Sequence, residues 1–535
     1  MLRKILTIIA KIIKESIKIC FIILIFFCLF LSLVLKPATD WAKANYNYSS
    51  FDEILYTLGT SVTAASEEVL DEFLSTIIYP ALFDVFMIFS VFIVFWLIYK
   101  FLFRNSSAIL NIKICKKNMF ITLNFFTIII FIITIIIGSL LHTATAYTID
   151  QLYIDEYLET STQSSNFFKQ EYINPKDVNL EFPKKKRNLI YIYLESMEST
   201  YTDKKHGGAY SINYIPELTQ LAEDNINFSS NHLIGGAYMP YGASWTMGAM
   251  VAQTAGIPIK TPFIVKYDEN KKINYENGLV NGAYSLGEIL ENEGYNQAIM
   301  VGSDLSFGGR KVYFKEHGNY KTFDLYTAKK DNIIPDDYYV FWGYEDEKLF
   351  AYAKQEIISL SQQEKPFNFT MLTVDTHAPD GYTSDICENQ YDNPYLNAVA
   401  CSSKQLGKFI KWIQEQDFYE DTTIILTGDH LSMNIYSFEN IDKDYQRSIY
   451  NVYINSAIDE DKINTKNRQF TSFDYYPTTL AALGVEIEGN RLGLGTNLFS
   501  NKKTLSEQYG NSYIDKELKK MSSYYNSCIT FGGCK

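Results

Sequence analysis

Three long apolar runs near the start of the chain constrain its fold more than any other feature of the sequence. Residues 19–35 carry no charge, residues 81–99 carry only Asp84, and residues 119–141 are uncharged. A helix needs about 20 such residues to cross the hydrocarbon core of a bilayer. Because apolar side chains cover every helical face, spans are favoured over buried core helices. The sequence therefore predicts three membrane-spanning helices, at about 19–36, 80–102 and 119–141.

The basic residues of this region predict its orientation. Five precede the first run, and five more fill the link between the second and third runs: Arg3, Lys4, Lys11, Lys14 and Lys18, then Lys100, Arg104, Lys113, Lys116 and Lys117. Loops rich in Lys and Arg stay in the cytoplasm. The segment 36–79 and everything after the third span are then outside. Residues 1–16 are amphipathic and fit either a surface helix or part of a further span.

The chain thus divides into an anchor (1–142), a polar juxtamembrane linker lying over the membrane surface (143–187) and an extracytoplasmic domain (188–535). Four of the seven cysteines fall in the predicted outer domain. An even number in an exported domain suggests two short-range disulfides, Cys387–Cys401 and Cys528–Cys534. That pattern favours an oxidising compartment, and we expect a bacterial inner-membrane protein whose domain faces the periplasm. The net charge of −13 argues against nucleic-acid binding.

The outer domain alternates strand-like and helical patterns. Short β-branched and aromatic runs at 188–194, 369–374 and 422–426 are separated by helical patterns such as 286–293 and 398–416. This alternation predicts an α/β fold with a mostly parallel sheet flanked by helices. Sites in such sheets form beyond the carboxyl ends of the strands. Four polar side chains follow strand-like runs in this way: Glu195, His377, Asp429 and His430.

Three of these side chains are suited to one divalent cation. Asp429 and His430 stand together after one run, and Glu195 after another can add a second carboxylate. Such oxygen and nitrogen ligands suit Mn²⁺ or Mg²⁺, with Zn²⁺ as an alternative. Thr246, among small residues, is the candidate fourth ligand and nucleophile, since metal coordination lowers the pKa of a hydroxyl. Taken alone, Thr246 would fit an ordinary N-cap before a core helix better.

Two further side chains are candidates for contacting a phosphoryl group. His377 fits binding of phosphoryl oxygens or protonation of a leaving alkoxide. Arg310 has the planar fork that holds phosphate. A surface salt bridge is the ordinary alternative for Arg310.

These segments, in this order, resemble the membrane-anchored phosphoglycerol transferases of the alkaline phosphatase/sulfatase superfamily. That group includes the lipoteichoic acid synthases and, with the greatest similarity, the phosphoglycerol transferase I proteins of osmoregulated periplasmic glucan synthesis. The resemblance covers about 188–500, and it rests on the segments NLIYIYLESME (188–198), WTMGAMVA (245–252) with GIP (256–258), LNAVAC (396–401) and RLGLG (491–495).

The resemblance implies a metal held by Glu195, Thr246, Asp429 and His430, and contacts from His377 and Arg310 to the phosphoglycerol group. It also implies phosphatidylglycerol as donor, a phospho-threonine intermediate, release of diacylglycerol and transfer of sn-glycerol 1-phosphate to a periplasmic glucan or other glycan. The chain departs from lipoteichoic acid synthases at Gly308, where they have Trp, and at Val301, where they have His. Asp304 is a weak substitute contact.

Four other functions are alternatives for such a chain. A sulfatase needs Cys or Ser heading a C/S-x-P-x-R motif, and the segment at Thr246 lacks that Pro and Arg. An alkaline phosphatase needs a second metal, for which Asp375 and His377 leave some room. A phosphoethanolamine transferase acting on lipid A or another surface glycan uses a similar Thr and is the main alternative. An inactive membrane scaffold or glycan-binding protein would bind no metal at these residues. The sequence does not specify the acceptor or the oligomeric state.

Overall fold

The structure is a computed structural model, and it describes residues 2–46, 50–59, 67–102, 108–114, 117–123, 125–261, 278–458 and 463–534. The chain forms two compact units. The first comprises Met1–Lys43 with Ser66–Asp155, and the second comprises Ala44–Ala65 with Glu156–Lys535. We call them the anchor unit and the catalytic unit.

Up to Gln151 the described residues form the helices α1 (Leu2–Tyr46), α2 (Phe51–Gly59), α3 (Glu67–Phe73), α4 (Tyr79–Leu102) and α5 (Phe125–Gln151). A π-helical turn joins α3 to α4. In the part of the chain that the structure describes, three helical stretches are long and apolar enough to cross a membrane: Ile5–Ala44, Leu70–Leu102 and Thr127–Gln151. The first two contain the predicted spans 19–36 and 80–102, and the third overlaps the predicted span 119–141 from residue 127 onward. Ile25, Leu29 and Ile137 form a small core of the anchor unit.

Two boundaries in the anchor unit differ from the predicted ones. Residues 2–18 continue into the first span as one helix, so the basic start is not a separate segment. The third helix begins at Phe125, because residues 117–123 form a strand, β2 (Lys117–Leu123), antiparallel to β1 (Ala108–Ile114). Asn118, Thr122 and Asn124 interrupt the apolar run there, so the predicted start at residue 119 was six residues too early.

The catalytic unit is built on a seven-stranded sheet in the order β5-β10-β9-β4-β8-β6-β7. Strands β9, β4, β8, β6 and β7 run parallel. At one edge β10 is antiparallel to β9, and β5 is antiparallel to β10. The predicted mostly parallel sheet is confirmed. The strands of this unit are β3 (Leu180–Glu181), β4 (Asn188–Leu194), β5 (Gly236–Ala237), β6 (Asn296–Val301), β7 (Lys321–Phe323), β8 (Phe367–Leu372), β9 (Thr422–Gly428), β10 (Ile449–Ile454), β11 (Glu486–Ile487), β12 (Arg491–Leu492) and β13 (Gly495–Thr496).

Helices cover both faces of this sheet. Alternate residues of β4 enter different cores, Tyr191 and Tyr193 one and Ile190 and Ile192 the other, as the pleat of a strand requires. The helices are α6 (Ile154–Thr162), α7 (Phe167–Glu171), α8 (Pro216–Asp224), α9 (Thr246–Ala255), α10 (Leu286–Asn292), α11 (Arg310–Glu316), α12 (Leu325–Lys330), α13 (Asp346–Ser361), α14 (Pro394–Gln414), α15 (Tyr475–Ala482), α16 (Leu505–Tyr509) and α17 (Asn511–Lys519).

The segment predicted as a surface linker is instead mostly part of folded structure. Helix α5 continues to Gln151, and α6, from Glu156 onward, and α7 belong to the catalytic unit. Phe167 and Phe168 are only 5% and 3% exposed, and they belong to the larger core with Tyr172. These aromatic side chains stand among polar neighbours, and their burial holds the segment against the unit.

Both predicted disulfides are confirmed. Cys387 is joined to Cys401 and Cys528 to Cys534, with Cα–Cα distances of 5.4 and 4.7 Å. Each closes a short loop within the catalytic unit.

Candidate active site

Two neighbouring parallel strands end at the same level and bring two carboxylates together. Leu194 of β4 lies opposite Gly428 of β9, so Glu195 and Asp429 follow at adjacent strand ends. The Asp429 amide donates to the Leu194 carbonyl at 3.1 Å. A Cβ on Gly428 would lie 1.9 Å from the Met197 carbonyl oxygen, so only glycine permits this close approach.

Glu195, Asp429 and His430 form a buried cluster whose candidate ligand atoms all lie within 4.8 Å of one another. His430 Nε2 lies 3.4 Å from Glu195 Oε1 and 3.4 Å from Asp429 Oδ2. His430 Nδ1 lies 2.8 Å from the Leu431 carbonyl, which can only accept a hydrogen bond. Nδ1 therefore carries a hydrogen, and in the neutral ring Nε2 offers a lone pair toward the carboxylates.

The charges of this cluster fit a bound cation. Burial raises the pKa of Asp429, and the neighbouring Glu195 carboxylate adds to the rise. Burial opposes charge on His430, yet Asp429 and Glu195 hold the pKa of His430 above its usual range. Asp429 Oδ2 is buried and has no hydrogen-bond partner in the described part of the chain. Two carboxylates, one of them with an unpartnered buried oxygen, and an imidazole nitrogen are a donor set that suits a divalent metal.

Thr246 is directed at the same cluster. It is the first residue of α9, after Trp245 in extended conformation, and its Oγ1 lies 3.4 Å from His430 Nε2. Trp245 occupies the N-cap position, so Thr246 is not the capping residue of this helix. A Cβ on Gly248 would lie 2.8 Å from the Gly242 carbonyl oxygen, so small residues let this segment fold tightly. The structure thus places a hydroxyl beside the three candidate metal ligands.

Arg310 lines the cleft that contains Thr246 and Glu195. Its guanidinium donates to the carbonyls of Phe307 at 3.0 Å and Asp304 at 2.7 Å, and the side chain is buried. Within the described ranges no carboxylate lies within ion-pair distance of Arg310, so the surface salt bridge considered from the sequence is not formed. A buried cation held only by neutral acceptors is suited to an anionic ligand.

His377 lines the same cleft. Its Nδ1 lies 2.8 Å from the Ala378 carbonyl, so Nδ1 carries a hydrogen here as well. Burial lowers the pKa of His377, which favours the neutral ring. Nε2 of that tautomer accepts a proton, so His377 can protonate a leaving group only after taking up a proton first.

Two other acidic residues predicted near the site have different partners. The Asp304 carboxylate accepts hydrogen bonds from the Ser306 amide and hydroxyl at 2.8 and 2.7 Å. Asp375 Oδ1 accepts from the Asp346 amide at 3.1 Å, and Asp375 does not join the metal-ligand cluster. Among the residues described, that cluster is the only group of three or more candidate ligands, which gives no support to a second metal.

Sequence reasoning missed several side chains that line the cleft: Tyr56, Trp342 and Ser303. The Trp342 ring lies 4.6 Å from the His377 ring, between centroids. No motif in the sequence indicates that Trp342 lines the cleft. Trp342 lies in a tight turn directly after Phe341, whose φ is 55°. Tyr56 precedes two predicted spans, and nothing local in the sequence connects it to the site.

Glu198, in the segment 188–198, forms an ion pair with Arg447 and does not belong to the metal-ligand cluster. It is fully buried, and Arg447 donates to both of its carboxylate oxygens, through Nε at 3.0 Å and through one terminal nitrogen. The Ser432 amide also donates to it at 2.8 Å. This network joins the end of β4 to the segment that follows Asp429 and His430.

We expect Arg447→Met to lower the free energy of unfolding of the catalytic unit by about 3 kcal/mol, because it leaves the Glu198 charge buried and unpaired. Urea denaturation followed by tryptophan fluorescence measures this. Lys404→Met is the control, because Lys404 pairs with Glu388 at the surface and should contribute below about 1 kcal/mol. Equal effects of the two substitutions would contradict a structural role for the Glu198 pair.

The fold and this site define an α/β enzyme with a hydroxyl next to a buried cluster of metal-ligand type. The chain belongs to the sulfatase family, whose family model, described as Sulfatase, matches residues 187–485. It is 31% identical over 338 residues to phosphoglycerol transferase I of Salmonella choleraesuis strain SC-B67, covering 62% of this chain and 41% of that protein. It is 30% identical over 345 residues to phosphoglycerol transferase I of Escherichia coli strain 55989, covering 63% and 42%.

The chain therefore spans about two fifths of the length of these relatives. Among solved structures, lipoteichoic acid synthase LtaP from Listeria monocytogenes matches with a TM-score of 0.45 and 19% identity, covering 63% of this chain and 81% of that one.

Proposed function

We propose that this protein is a phosphoglycerol transferase that uses phosphatidylglycerol as donor. One observation carries the proposal: the Thr246 hydroxyl lies beside the Glu195, Asp429 and His430 cluster, in a cleft whose buried Arg310 has no ion-pair partner within the described residues. The similarity to proteins named phosphoglycerol transferase I supports this choice of transferred group.

In the first half-reaction Thr246 Oγ forms a bond to the donor phosphorus, and the phosphorus–oxygen bond to diacylglycerol breaks. The proton lost by Thr246 ends on the diacylglycerol oxygen, and His377 Nε2 is the group suited to carry it. Arg310 binds the phosphoryl oxygens through its fork and stabilises their charge in the transition state. A divalent ion, Mn²⁺ or Mg²⁺, held by Glu195, Asp429 and His430 would supply the positive charge that lowers the pKa of the Thr246 hydroxyl.

In the second half-reaction an acceptor hydroxyl attacks the glycerophosphoryl-threonine. The new phosphorus–oxygen bond forms as the bond to Thr246 Oγ breaks, and the acceptor proton returns to that oxygen. His377 Nε2 again accepts and delivers the proton. A hydroxyl of a periplasmic glucan or another glycan is the proposed acceptor.

The apolar helices fit a lipid donor. Diacylglycerol and phosphatidylglycerol both stay in the bilayer, so an enzyme anchored there meets its donor without extracting it. The placement of Lys and Arg supports a catalytic unit on the periplasmic side of the inner membrane. Membership of the sulfatase family does not imply sulfate-ester hydrolysis here, because Thr246 stands where those enzymes need Cys or Ser followed by Pro and Arg.

The test is to incubate the full chain and Mn²⁺ with vesicles of labelled phosphatidylglycerol and a soluble β-glucan. We expect labelled diacylglycerol and a phosphoglycerol-substituted glucan in equal amounts. Vesicles of labelled phosphatidylethanolamine are the parallel arm, because phosphoethanolamine transfer is the alternative. Diacylglycerol released only in that arm would replace the proposal with the alternative, and release in neither arm would reject both.

A further inference from the structure

The short helix α2 belongs to the catalytic unit, although it precedes in sequence the residues 187–485 that match the family model. Helix α2 lies in the sequence between the first and second apolar helices, yet residues 44–65 group with the catalytic unit. The Asp52 carboxylate accepts from the Thr261 amide at 3.1 Å, and the Thr261 hydroxyl donates to the Asp52 carbonyl at 3.4 Å. Asp52 and Glu53 are each only 2% exposed. Buried polar contacts therefore hold α2 in place.

Tyr56 of this helix contacts both segments that deliver catalytic side chains. Its hydroxyl donates to the Gly308 carbonyl at 2.6 Å, two residues before Arg310. Its ring lies 5.5 Å from the ring of Trp245, the residue before Thr246. Tyr56 is 1% exposed, and with Thr57 it lines the cleft that holds Thr246 and Arg310.

The turn that Tyr56 holds is conformationally soft. Gly308 and Gly309 have φ of 64° and 78°, in the left-handed region that glycine adopts without cost. Tyr56 provides the one side-chain hydrogen bond to the Gly308 carbonyl among the described residues. A Cβ on Gly309 would lie 3.4 Å from the Tyr56 hydroxyl oxygen, so the turn and the ring fit closely. Without the Tyr56 hydroxyl, the turn keeps the bond from the Gly309 amide to the Ser306 carbonyl at 3.1 Å but loses its restraint on the Gly308 carbonyl, and Arg310 follows the glycine pair directly.

We propose that Tyr56 is a positioning residue of the transfer reaction and that α2 forms one wall of the donor headgroup site. The inference rests on the proposed function for the identity of the headgroup, a phosphate ester of a small polyol. Tyr56 fixes the glycine turn so that Arg310 presents its fork to the phosphoryl oxygens. Thr57 faces the headgroup from the same helix. Helix α2 therefore completes the catalytic site. In the sequence, the apolar helices α4 and α5 lie between α2 and the rest of the catalytic unit.

The first test compares Tyr56→Phe with Tyr450→Phe in the full chain. Each substitution removes one buried hydroxyl that donates to a backbone carbonyl. The Tyr450 hydroxyl donates to the Leu218 carbonyl at a distance of 2.7 Å, and Tyr450 does not line the cleft. We expect kcat for transfer to fall about tenfold in Tyr56→Phe and to stay at the wild-type value in Tyr450→Phe. The rise in unfolding temperature on adding Mn²⁺ should be unchanged in both. Wild-type kcat in Tyr56→Phe would overturn the positioning role.

The second test measures, without any catalytic turnover, whether α2 contacts a bound headgroup. Thr57→Cys is treated with a charged methanethiosulfonate reagent in the presence and absence of sn-glycerol 1-phosphate, with Thr162→Cys on α6 as the exposed control. We expect sn-glycerol 1-phosphate to slow modification of Thr57→Cys severalfold and to leave Thr162→Cys unaffected, over the wild-type background from the cysteines outside the two disulfides, Cys20, Cys28 and Cys115. Equal modification rates with and without the phosphate ester would overturn the wall.

The two proposals fail separately in these experiments. If phosphatidylglycerol is not the donor but Thr57→Cys is protected, the wall stands and the donor assignment falls. If transfer from phosphatidylglycerol is found but Thr57→Cys is not protected, the function stands and α2 has no part in the headgroup site.

Discussion

Replacing Thr246 with alanine is expected to lower phosphoglycerol transfer by about 10³-fold or more, the largest loss of any substitution in the chain. Removal of a covalent nucleophile abolishes the two-step route, and any residual reaction must use a different attacking group. Thr246→Ser keeps a hydroxyl at the same backbone position and should retain measurable transfer. The rates are read as labelled diacylglycerol released from phosphatidylglycerol vesicles by the full chain.

The covalent intermediate gives a second, independent readout. Incubation with phosphatidylglycerol in the absence of acceptor should add a glycerophosphoryl group to the wild-type chain, and peptide mass spectrometry should locate it on Thr246. Thr254→Ala is the matched control, because Thr254 lies on the same helix and its hydroxyl bonds to the Met250 carbonyl and to Tyr313. That variant should keep both transfer and the adduct. An adduct on another residue, or full transfer by Thr246→Ala, would contradict the assignment.

The residues at strand ends were predictable because their signal is local. A buried parallel strand reads as a continuous β-branched and aromatic run, and the predicted run 188–194 coincides with β4. The fold then places the side chains after such runs at one edge of the sheet. Glu195, Asp429 and His430 meet there for this reason, and their positions after strand-like runs, with side chains of metal-ligand type, were enough to group them.

The parts that escaped prediction depend on contacts between distant segments. Tyr56 reaches Gly308 across 252 residues of sequence, and no periodicity encodes that pairing. Trp342 enters the cleft from an irregular turn. The linker was misjudged because its polar average concealed Phe167 and Phe168, whose burial depends on neighbours contributed by the C-terminal helices. Composition reports the mean polarity of a segment, whereas docking depends on a few large apolar side chains.

Asp429→Asn should change stability in opposite directions with and without metal. In wild-type protein Asp429 Oδ1 accepts from the amides of Ser196 and His430 at 2.8 and 2.7 Å, and an asparagine oxygen can keep both bonds. The substitution removes one of two neighbouring buried carboxylates, the one whose charge burial and Glu195 disfavour, and it leaves Glu195 Oε1 3.4 Å from His430 Nε2. We therefore expect the metal-free variant to be more stable than metal-free wild type by about 1 kcal/mol.

Added metal should reverse that order, because it stabilises only a chain that binds it. At a Mn²⁺ concentration 100 times Kd the wild type gains about 2.7 kcal/mol, whereas Asp429→Asn should gain almost nothing and should lose transfer activity. Thermal unfolding of the full chain in chelator and in Mn²⁺ measures both effects. Asp324→Asn is the matched control, since Asp324 is buried, its Oδ1 accepts from the Thr327 amide and hydroxyl, and it does not belong to the metal-ligand cluster, so its metal response should be that of the wild type. A wild-type metal response in Asp429→Asn would remove Asp429 from the ligand set, and a less stable metal-free variant would show that its charge is compensated within the protein itself.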